Sequence, residues 1–375
     1  MESEARLNPR VLMLIPSDPP RYSEEDVKCD RFPLMDTAAL QRELGADALY
    51  YDTGKSNDGR LAQFLHNWFS KDIYLAWRGF RRRRNYDVIY SNGENVSIPL
   101  AVLFKFCHRR PAHVLIAHRL SPKKKRPFFR LLKAHHQMDI LFMYSTLQME
   151  FAKRELGIAD EKLRWIPFQV DADFFRPLPI QPRRMICCAG LEWRDYPTLI
   201  RAVEGLDVEV CLAAASPWSK HRNETEDRPL PPNVSARRYD YKELRQLYNE
   251  SLFVVVPLYE NDFQAGITTM LEAMAIGKAV MVTKTHGQRD MLVEGVHGRY
   301  IPVGDSEAWR TAIQEWLANP DAVRQMGENG RELVEKQATV GHWAYRIAEE
   351  IRAVASRRNS AGQFKPAQAN KSSVI

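Results

Sequence analysis

The sequence predicts an α/β chain of two Rossmann-like domains, each a parallel sheet with helices on both faces, facing one another across a cleft. Three observations lead there. Apolar runs of strand length alternate with stretches long enough for crossover helices. The alternation comes in two series, joined by a segment carrying Pro177, Pro179 and Pro182. The chain of 375 residues is too long for one ordinary domain and comfortable for two.

In the first series the expected strands are Arg10–Pro16, Ala46–Asp52, Tyr86–Asn92, Ala112–His118 and Asp139–Ser145. They read as nearly unbroken apolar runs because a parallel strand covered by helices is buried on both faces. Leu61–Phe80 and Phe128–His136 are the expected crossover helices, and a short run at Arg164–Phe168 leads into the linker. The second series has strands at Arg184–Gly190, Val208–Ala215, Leu252–Leu258 and Ala279–Lys284, with helices near 196–204, 241–250 and 268–276. From Asp305 onward the pattern is helical, and the last helix covers roughly Val340–Ala355. The expected boundaries are 1–176, 177–338, a closing helix 339–356 and a disordered polar tail 357–375. No internal repeat is visible.

Composition removes several classes. With 45% hydrophobic and 27% charged residues, neither disorder throughout nor a fibrous repeat is expected. The longest apolar stretch, Ser97–Cys107, is about half a bilayer span, and Lys105 interrupts it. The start MESEARLNPR has no apolar core of a secretory signal. Five cysteines with no CxxC pair fit neither a disulfide framework nor a zinc ribbon, so a reduced cytoplasmic protein is expected. The N-x-S/T matches at Asn95, Asn223 and Asn233 then read as chance.

Charge is uneven. Residues 51–150 hold 18 Lys and Arg against 7 Asp and Glu, with two runs, Arg81–Arg84 and Lys123–Arg126. Solvated loop charge explains such runs as well as an anionic partner does. Phe64, Trp68, Phe69, Tyr74, Trp77 and Phe80 precede the arginines. Core packing is favoured for them. A helix lying on anionic lipid, with peripheral contact through 60–84 and 123–126 on an inner membrane face, is the alternative. No zinc-finger spacing or RNA-binding aromatic signature accompanies the charge, so no nucleic acid partner is expected.

Motif tests narrow the chemistry. The first strand is followed by PSDPPRYSEED, which lacks any glycine, so the dinucleotide fingerprint is absent. There is no Walker A loop, G-x-S-x-G elbow or H-E-x-x-H pair. Asp171 and Asp173 form a D-x-D without clustered His or carboxylates to complete a metal shell. Ser23 and Asp26 read as a helix cap.

The informative segment is Leu252–Asp305. A buried strand ends at Pro257-Leu258, a polar loop follows, and Ala265-Gly266-Ile267 lead into a helix whose first turn is Thr268-Thr269. Free N–H groups, hydroxyls and a preceding glycine suit an anion such as a diphosphate. Glu272 lies one turn on, where a carboxylate can accept both hydroxyls of a ribose. An ordinary capped βαβ unit would show the same periodicity.

LEAMAIGKAVMVTKTHGQRDML and EGVHGRYIPVGD resemble the signature of family 4 of the retaining GT-B glycosyltransferases, written E-x7-E. Residues 188–203 resemble the first strand–loop–helix of its donor domain, 145–177 the end of its acceptor domain, and 112–122 the strand bearing its active-site histidine. The resemblance implies a GT-B fold whose C-terminal helix crosses back to the N-terminal, acceptor-binding domain. It implies that Glu272 holds the ribose, and that Gly266, Ile267, Thr268 and Thr269 face the donor phosphates. Gln264 stands where the family has its first glutamate, and Glu260 is a candidate substitute. Arg194 takes the place of a diphosphate-binding lysine, with Lys284 or Arg289 as a second cation, and His118 matches the catalytic histidine. Asp18 and Arg21, where the family often has a glycine-rich loop, would shape an acceptor pocket.

The expected activity is metal-independent transfer of a sugar from a nucleotide-sugar, UDP- or GDP-linked, to an acceptor hydroxyl with retention of configuration. No cofactor beyond that substrate is implied. The aromatic, basic N-terminal half tilts the acceptor toward an amphiphilic or lipid-linked molecule. Two alternatives stay open: a GT-B protein that binds a nucleotide or an anionic polymer without transfer, and a sugar-nucleotide epimerase.

Overall fold

The computed structural model describes residues 9–51, 70–213 and 229–360. The expectations for Phe64, Trp68 and Phe69, for Leu61–Phe69 as helix, for 60–69 as a membrane contact, for Asn223 and for a tail at 361–375 lie outside the described residues. The chain divides into two compact units. One comprises residues 1–21, 36–166 and 344–375, the other 22–35 and 167–343.

The N-terminal unit is built on six parallel strands: β1 (Val11–Leu14), β2 (Asp47–Leu49), β3 (Val88–Asn92), β4 (Ala112–Ala117), β5 (Ile140–Met143) and β6 (Leu163–Trp165). Their order is β2-β1-β3-β4-β5-β6, with Leu12 opposite Ile89 and Val114 opposite Ile140. On one face Leu12, Leu14 and Ile89 pack with Leu75, Leu100 and Phe104. Leu115, Leu141 and Met143 pack with Phe129 and Ala152 elsewhere in the unit. Met13, Tyr90, Val114 and Ile140, at the alternate positions, are buried as well, so both sides of the strands are covered, as their unbroken apolar runs require.

The helix Lys71–Arg82 starts at Ser70, whose hydroxyl accepts from the Ile73 N–H. Its aromatics turn inward: Tyr74 is buried, and the Phe80 ring lies 6.1 Å from Phe104. Arg81 and Arg83 cover the Trp77 and Phe80 rings. Core packing thus accounts for Tyr74 and Phe80. The expected helix Phe128–His136 is broken into Arg126–Arg130 and a 3-10 turn Ala134–Gln137, because Lys133 between them has φ +50°.

The C-terminal unit also has six parallel strands: β7 (Met185–Ala189), β8 (Glu209–Ala213), β9 (Val234–Arg237), β10 (Val254–Val256), β11 (Val280–Thr283) and β12 (Gly298–Ile301). The order β12-β11-β10-β7-β8-β9 is that of a doubly wound dinucleotide-type sheet, reversing direction between β7 and β10. Alternate residues of β7 serve the two faces. Cys187 packs with Val256, Met270 and Met274, and Cys188 with Leu199, Phe253 and Trp309. All five cysteines are free.

The division between units falls at Ile166/Pro167, ten residues before the expected 176/177. Phe174 and Phe175 are the reason: both are buried in the C-terminal core. Asp171 caps this turn, accepting from the backbone N–H groups of Leu34, Asp173 and Phe174, so its carboxylate is committed to backbone. Residues 22–35 also belong to the C-terminal unit rather than to a domain 1–176. Phe32 stacks on Tyr22 at 4.3 Å and meets Tyr241 edge-on at 4.5 Å, while Asp30 pairs with Arg176 and Arg245. Those guanidinium groups, Arg176 foremost, hold the Asp30 carboxyl down at about 2. The Ser23–Asp26 cap forms as a reciprocal box on the helix Glu24–Lys28. The last helix runs Val340–Ser360, past the expected stop at 356, and from Ala344 it belongs to the N-terminal unit. Among the described residues no helix is long and apolar enough to cross a membrane.

Candidate functional site

In the C-terminal unit the loops leaving β7 and β10 meet where the sheet reverses, the position at which open α/β sheets bind ligands. The β7 loop is Gly190–Asp195, and the β10 loop runs from Pro257 to Gly266. An isolated bridge between Arg194 and Leu258 joins them. Gly266 (φ +78°) turns the chain into the helix Ile267–Ala275. A Cβ there would lie 2.6 Å from Val256 Cγ1 and 3.2 Å from Arg194 Nη1, so both the dihedral and the space call for glycine.

Arg194 is buried, with three of its five N–H groups already committed. Nε donates to the Ala189 carbonyl, Nη1 to the Glu192 carbonyl, and Nη2 to Thr269 Oγ1 at 3.0 Å. It clamps the β7 loop to the helix start more deeply than a free phosphate-binding lysine would sit. Thr269 is buried on this clamp, while Thr268 is exposed. The first-turn N–H groups have no intrahelical acceptors, which leaves a positive end beside a fixed guanidinium.

One turn on, Glu272 is 6% exposed and accepts a hydrogen bond from the Tyr248 hydroxyl at 2.9 Å. Burial pushes its carboxyl up to about 7, a rise moderated by Tyr248 and by the charge of Arg194. Nothing in the local sequence forecasts Tyr248, which lies 24 residues away on the helix Tyr241–Glu250.

Gln264 is buried. Its amide N–H donates to Asp290 Oδ2 at 2.9 Å, and its carbonyl oxygen has no hydrogen-bond partner. Asp290 thus brings a carboxylate beside the residue that replaces the expected glutamate, another link missed in the sequence. Glu260 is occupied elsewhere: one oxygen accepts from the N–H groups of Asn261 and His286 and pairs with the His286 ring. Lys284 is exposed and lies over the Tyr300 ring of β12 at 6.0 Å, and Arg289 is exposed. Gly287 donates to the Asn261 carbonyl, and a Cβ on it would stand 2.0 Å from the Phe263 carbonyl oxygen. Gly287→Ala must therefore push the 284–290 loop off the 260–264 loop. The expected loss is about 1–3 kcal/mol, read as a lower Tm.

The N-terminal unit carries a second cluster beyond its strand ends. His118, after β4, is exposed; its backbone N–H donates to Glu94 Oε2 at 2.9 Å, and its ring lies 5.5 Å from that of Tyr144. Glu94 is buried at the start of the helix Glu94–Phe104 and pairs with Lys125 at 2.5 Å. Burial alone would raise its carboxyl, but Lys125 and His118 outweigh it, and the net direction is down. One lysine of the basic run 123–126 is thus a buried counterion, neither solvated nor free for an anionic partner. Asp36 is held up by burial, against the Thr37 N–H and the charge of His118. Asp18 and Arg21 are exposed. Among the described residues no group of three His, Cys, Asp or Glu side chains could hold a metal.

Residues 194–333 match the family model described as glycosyl transferases group 1. Over 145 residues, 37% of the chain, it is 30% identical to the D-inositol 3-phosphate glycosyltransferase of Gordonia bronchialis. That match spans 29% of this relative, and another curated relative is matched over 16% of its length. Among solved structures, sucrose-phosphate synthase from Thermosynechococcus elongatus superposes with a TM-score of 0.71 at 18% identity, covering 93% of this chain and 100% of that one. Anabaena HepE, solved with UDP-glucose, gives 0.67 at 16% identity, covering 92% and 100%. These likenesses establish the GT-B fold: two α/β units, each on a six-stranded parallel sheet.

Proposed function

We propose that this protein is a metal-independent, retaining glycosyltransferase of family 4 that moves a hexose from a nucleotide-sugar to a hydroxyl of an amphiphilic acceptor, in the cytoplasm. The observation that carries the reading is Glu272: a buried carboxylate, fixed by Tyr248, one turn inside a helix whose open end adjoins a buried arginine. A ribose diol supplies the two donors that this carboxylate lacks, and the same nucleotide lays its diphosphate toward the helix start. UDP-glucose in the HepE structure makes uridine the first base to test.

Transfer with retention brings the acceptor to the face the nucleotide leaves, so a diphosphate oxygen takes the acceptor proton. The protein's task is then electrostatic. The two uncommitted N–H groups of Arg194, the N–H groups of Thr268 and Thr269, and the Thr268 hydroxyl stabilise charge growing on the diphosphate. Such preorganised donors contribute about 3 kcal/mol each. Gln264, oriented by Asp290, offers its unpartnered carbonyl oxygen to a sugar hydroxyl. His118 acts at the reacting sugar, while Asp18 and Arg21 serve the acceptor.

Thermal unfolding with UDP, GDP, ADP and their sugar conjugates, with and without magnesium, tests this. A ligand at 100 times its Kd adds about 2.7 kcal/mol. One nucleotide family should raise Tm equally with and without the metal, and the rise should vanish in Glu272→Ala. No shift with any nucleotide would remove the donor assignment. His118→Ala should lower turnover roughly a hundredfold with donor binding intact, and wild-type turnover would take His118 out of the site.

A further inference from the structure

We infer that the N-terminal unit docks on an anionic lipid membrane through a surface formed by residues 105–109 and 123–133. Phe106 is 83% exposed and Leu131 78% exposed, and Phe128 and Leu132 are partly exposed beside them. The two segments are neighbours, because Lys105 Nζ donates to the Leu132 carbonyl at 2.7 Å. Phe106 follows the C-cap Lys105 of the helix Glu94–Phe104, its N–H donating to the Leu103 carbonyl, and Leu131 follows the helix Arg126–Arg130, so both project from hydrogen-bonded backbone.

The charge around these side chains is predominantly basic. Residues 105–133 hold ten Lys and Arg and no Asp or Glu. Arg110 and Lys125 are spent on Asp139 and Glu94 inside the unit. Lys105, Arg109, Lys123, Lys124, Arg130 and Lys133 are exposed, and Arg130 also meets Glu155. Exposed apolar side chains ringed by cations match an interface in which the apolar groups enter the acyl boundary and the cations meet anionic headgroups. A nucleic acid would satisfy the charge but give Phe106 and Leu131 no apolar phase. This surface is independent of sugar transfer, and a failure to bind nucleotide would leave it standing.

The full chain is mixed with vesicles of phosphatidylcholine alone and with added phosphatidylglycerol, and sedimented. Binding should require phosphatidylglycerol and weaken with salt. Lys123→Gln/Lys124→Gln/Lys133→Gln should weaken it about a hundredfold, from roughly fivefold per cation. Phe106→Ser/Leu131→Ser should weaken it at least about tenfold. Both variants should keep the wild-type Tm and nucleotide response. No vesicle binding, equal binding to neutral vesicles, or wild-type binding by either variant would overturn the proposal. So would salt-sensitive binding to single-stranded DNA or RNA that competes with vesicles and ignores Phe106 and Leu131.

Discussion

Replacing Glu272 by Gln should make the protein more stable at pH 8 and leave it unchanged at pH 4.5 or below, while nucleotide-sugar affinity falls. The sign follows from the carboxyl's raised position. The folded state holds the Glu272 proton up to about pH 7, whereas an unfolded glutamate releases it near 4.5. The neutral form therefore contributes stability that is complete below 4.5 and is lost as pH rises through 7. A carboxyl carried this far costs about 3 kcal/mol once ionised. Gln keeps an acceptor for Tyr248, never ionises and escapes that cost. At roughly 2–4 °C per kcal/mol for a unit of this size, the C-terminal unit should melt some 5 °C or more higher at pH 8. The ribose should bind about ten- to a hundredfold more weakly to the amide, because hydrogen bonds to a charged group contribute about 1.5–3 kcal/mol. In the wild type, donor Kd should improve by nearly tenfold per pH unit below 7 and level off above it, since the carboxylate is the binding form. Calorimetric melts and titrations at pH 5, 6, 7 and 8 check both. A variant that is no more stable at pH 8 would mean that Glu272 is ionised without strain, and a flat donor Kd would detach it from the ribose.

Part of the candidate site is legible in the sequence and part is not, and the division follows chain distance. Glu272, Gly266 and the Thr268-Thr269 turn stand within seven residues on one helix, so local spacing exposes them. Tyr248 comes from the helix before β10 and Asp290 from the loop after β11, and Arg194 meets Thr269 across the β7–β10 reversal; no local pattern encodes these contacts. The strands divide the same way. β1, β3 to β5 and β7, β8, β10 and β11 are largely buried on both faces and announce themselves as apolar runs. β9 (VSAR) and β12 (GRYI) close the two edges of their sheet, are half-exposed, and carry no run that would mark them. Chain order alone places the segment 22–35 in the first domain, whereas its anchors, Arg176, Tyr241 and Arg245, lie about 150 or more residues away in the C-terminal unit.

The most damaging single change in the N-terminal unit should be Lys125→Met. Glu94 then loses its buried counterion and keeps the backbone N–H groups of His118 and Arg119, at 2.9 and 3.3 Å, and the weaker influence of the His118 charge. Removing one partner of a buried pair costs about 3–5 kcal/mol, so the unit's Tm should fall by roughly 10 °C. The pH dependence should also reverse. In the wild type the Glu94 carboxyl sits below 4.5, and its contribution is present above that and lost on acidification. Without Lys125, burial raises it, and the variant should gain stability as the pH falls. Glu94→Gln/Lys125→Met removes both charges, keeps an acceptor for the His118 N–H, and should recover most of the loss. If the pair also positions His118, the single variant will lower kcat while leaving donor KM unchanged, because Glu272 lies in the other unit. A wild-type Tm in Lys125→Met would show that the two backbone N–H groups and the His118 charge hold Glu94 without it. A fall in kcat that the double variant does not repair would tie the charge itself, rather than the backbone it holds, to the reaction.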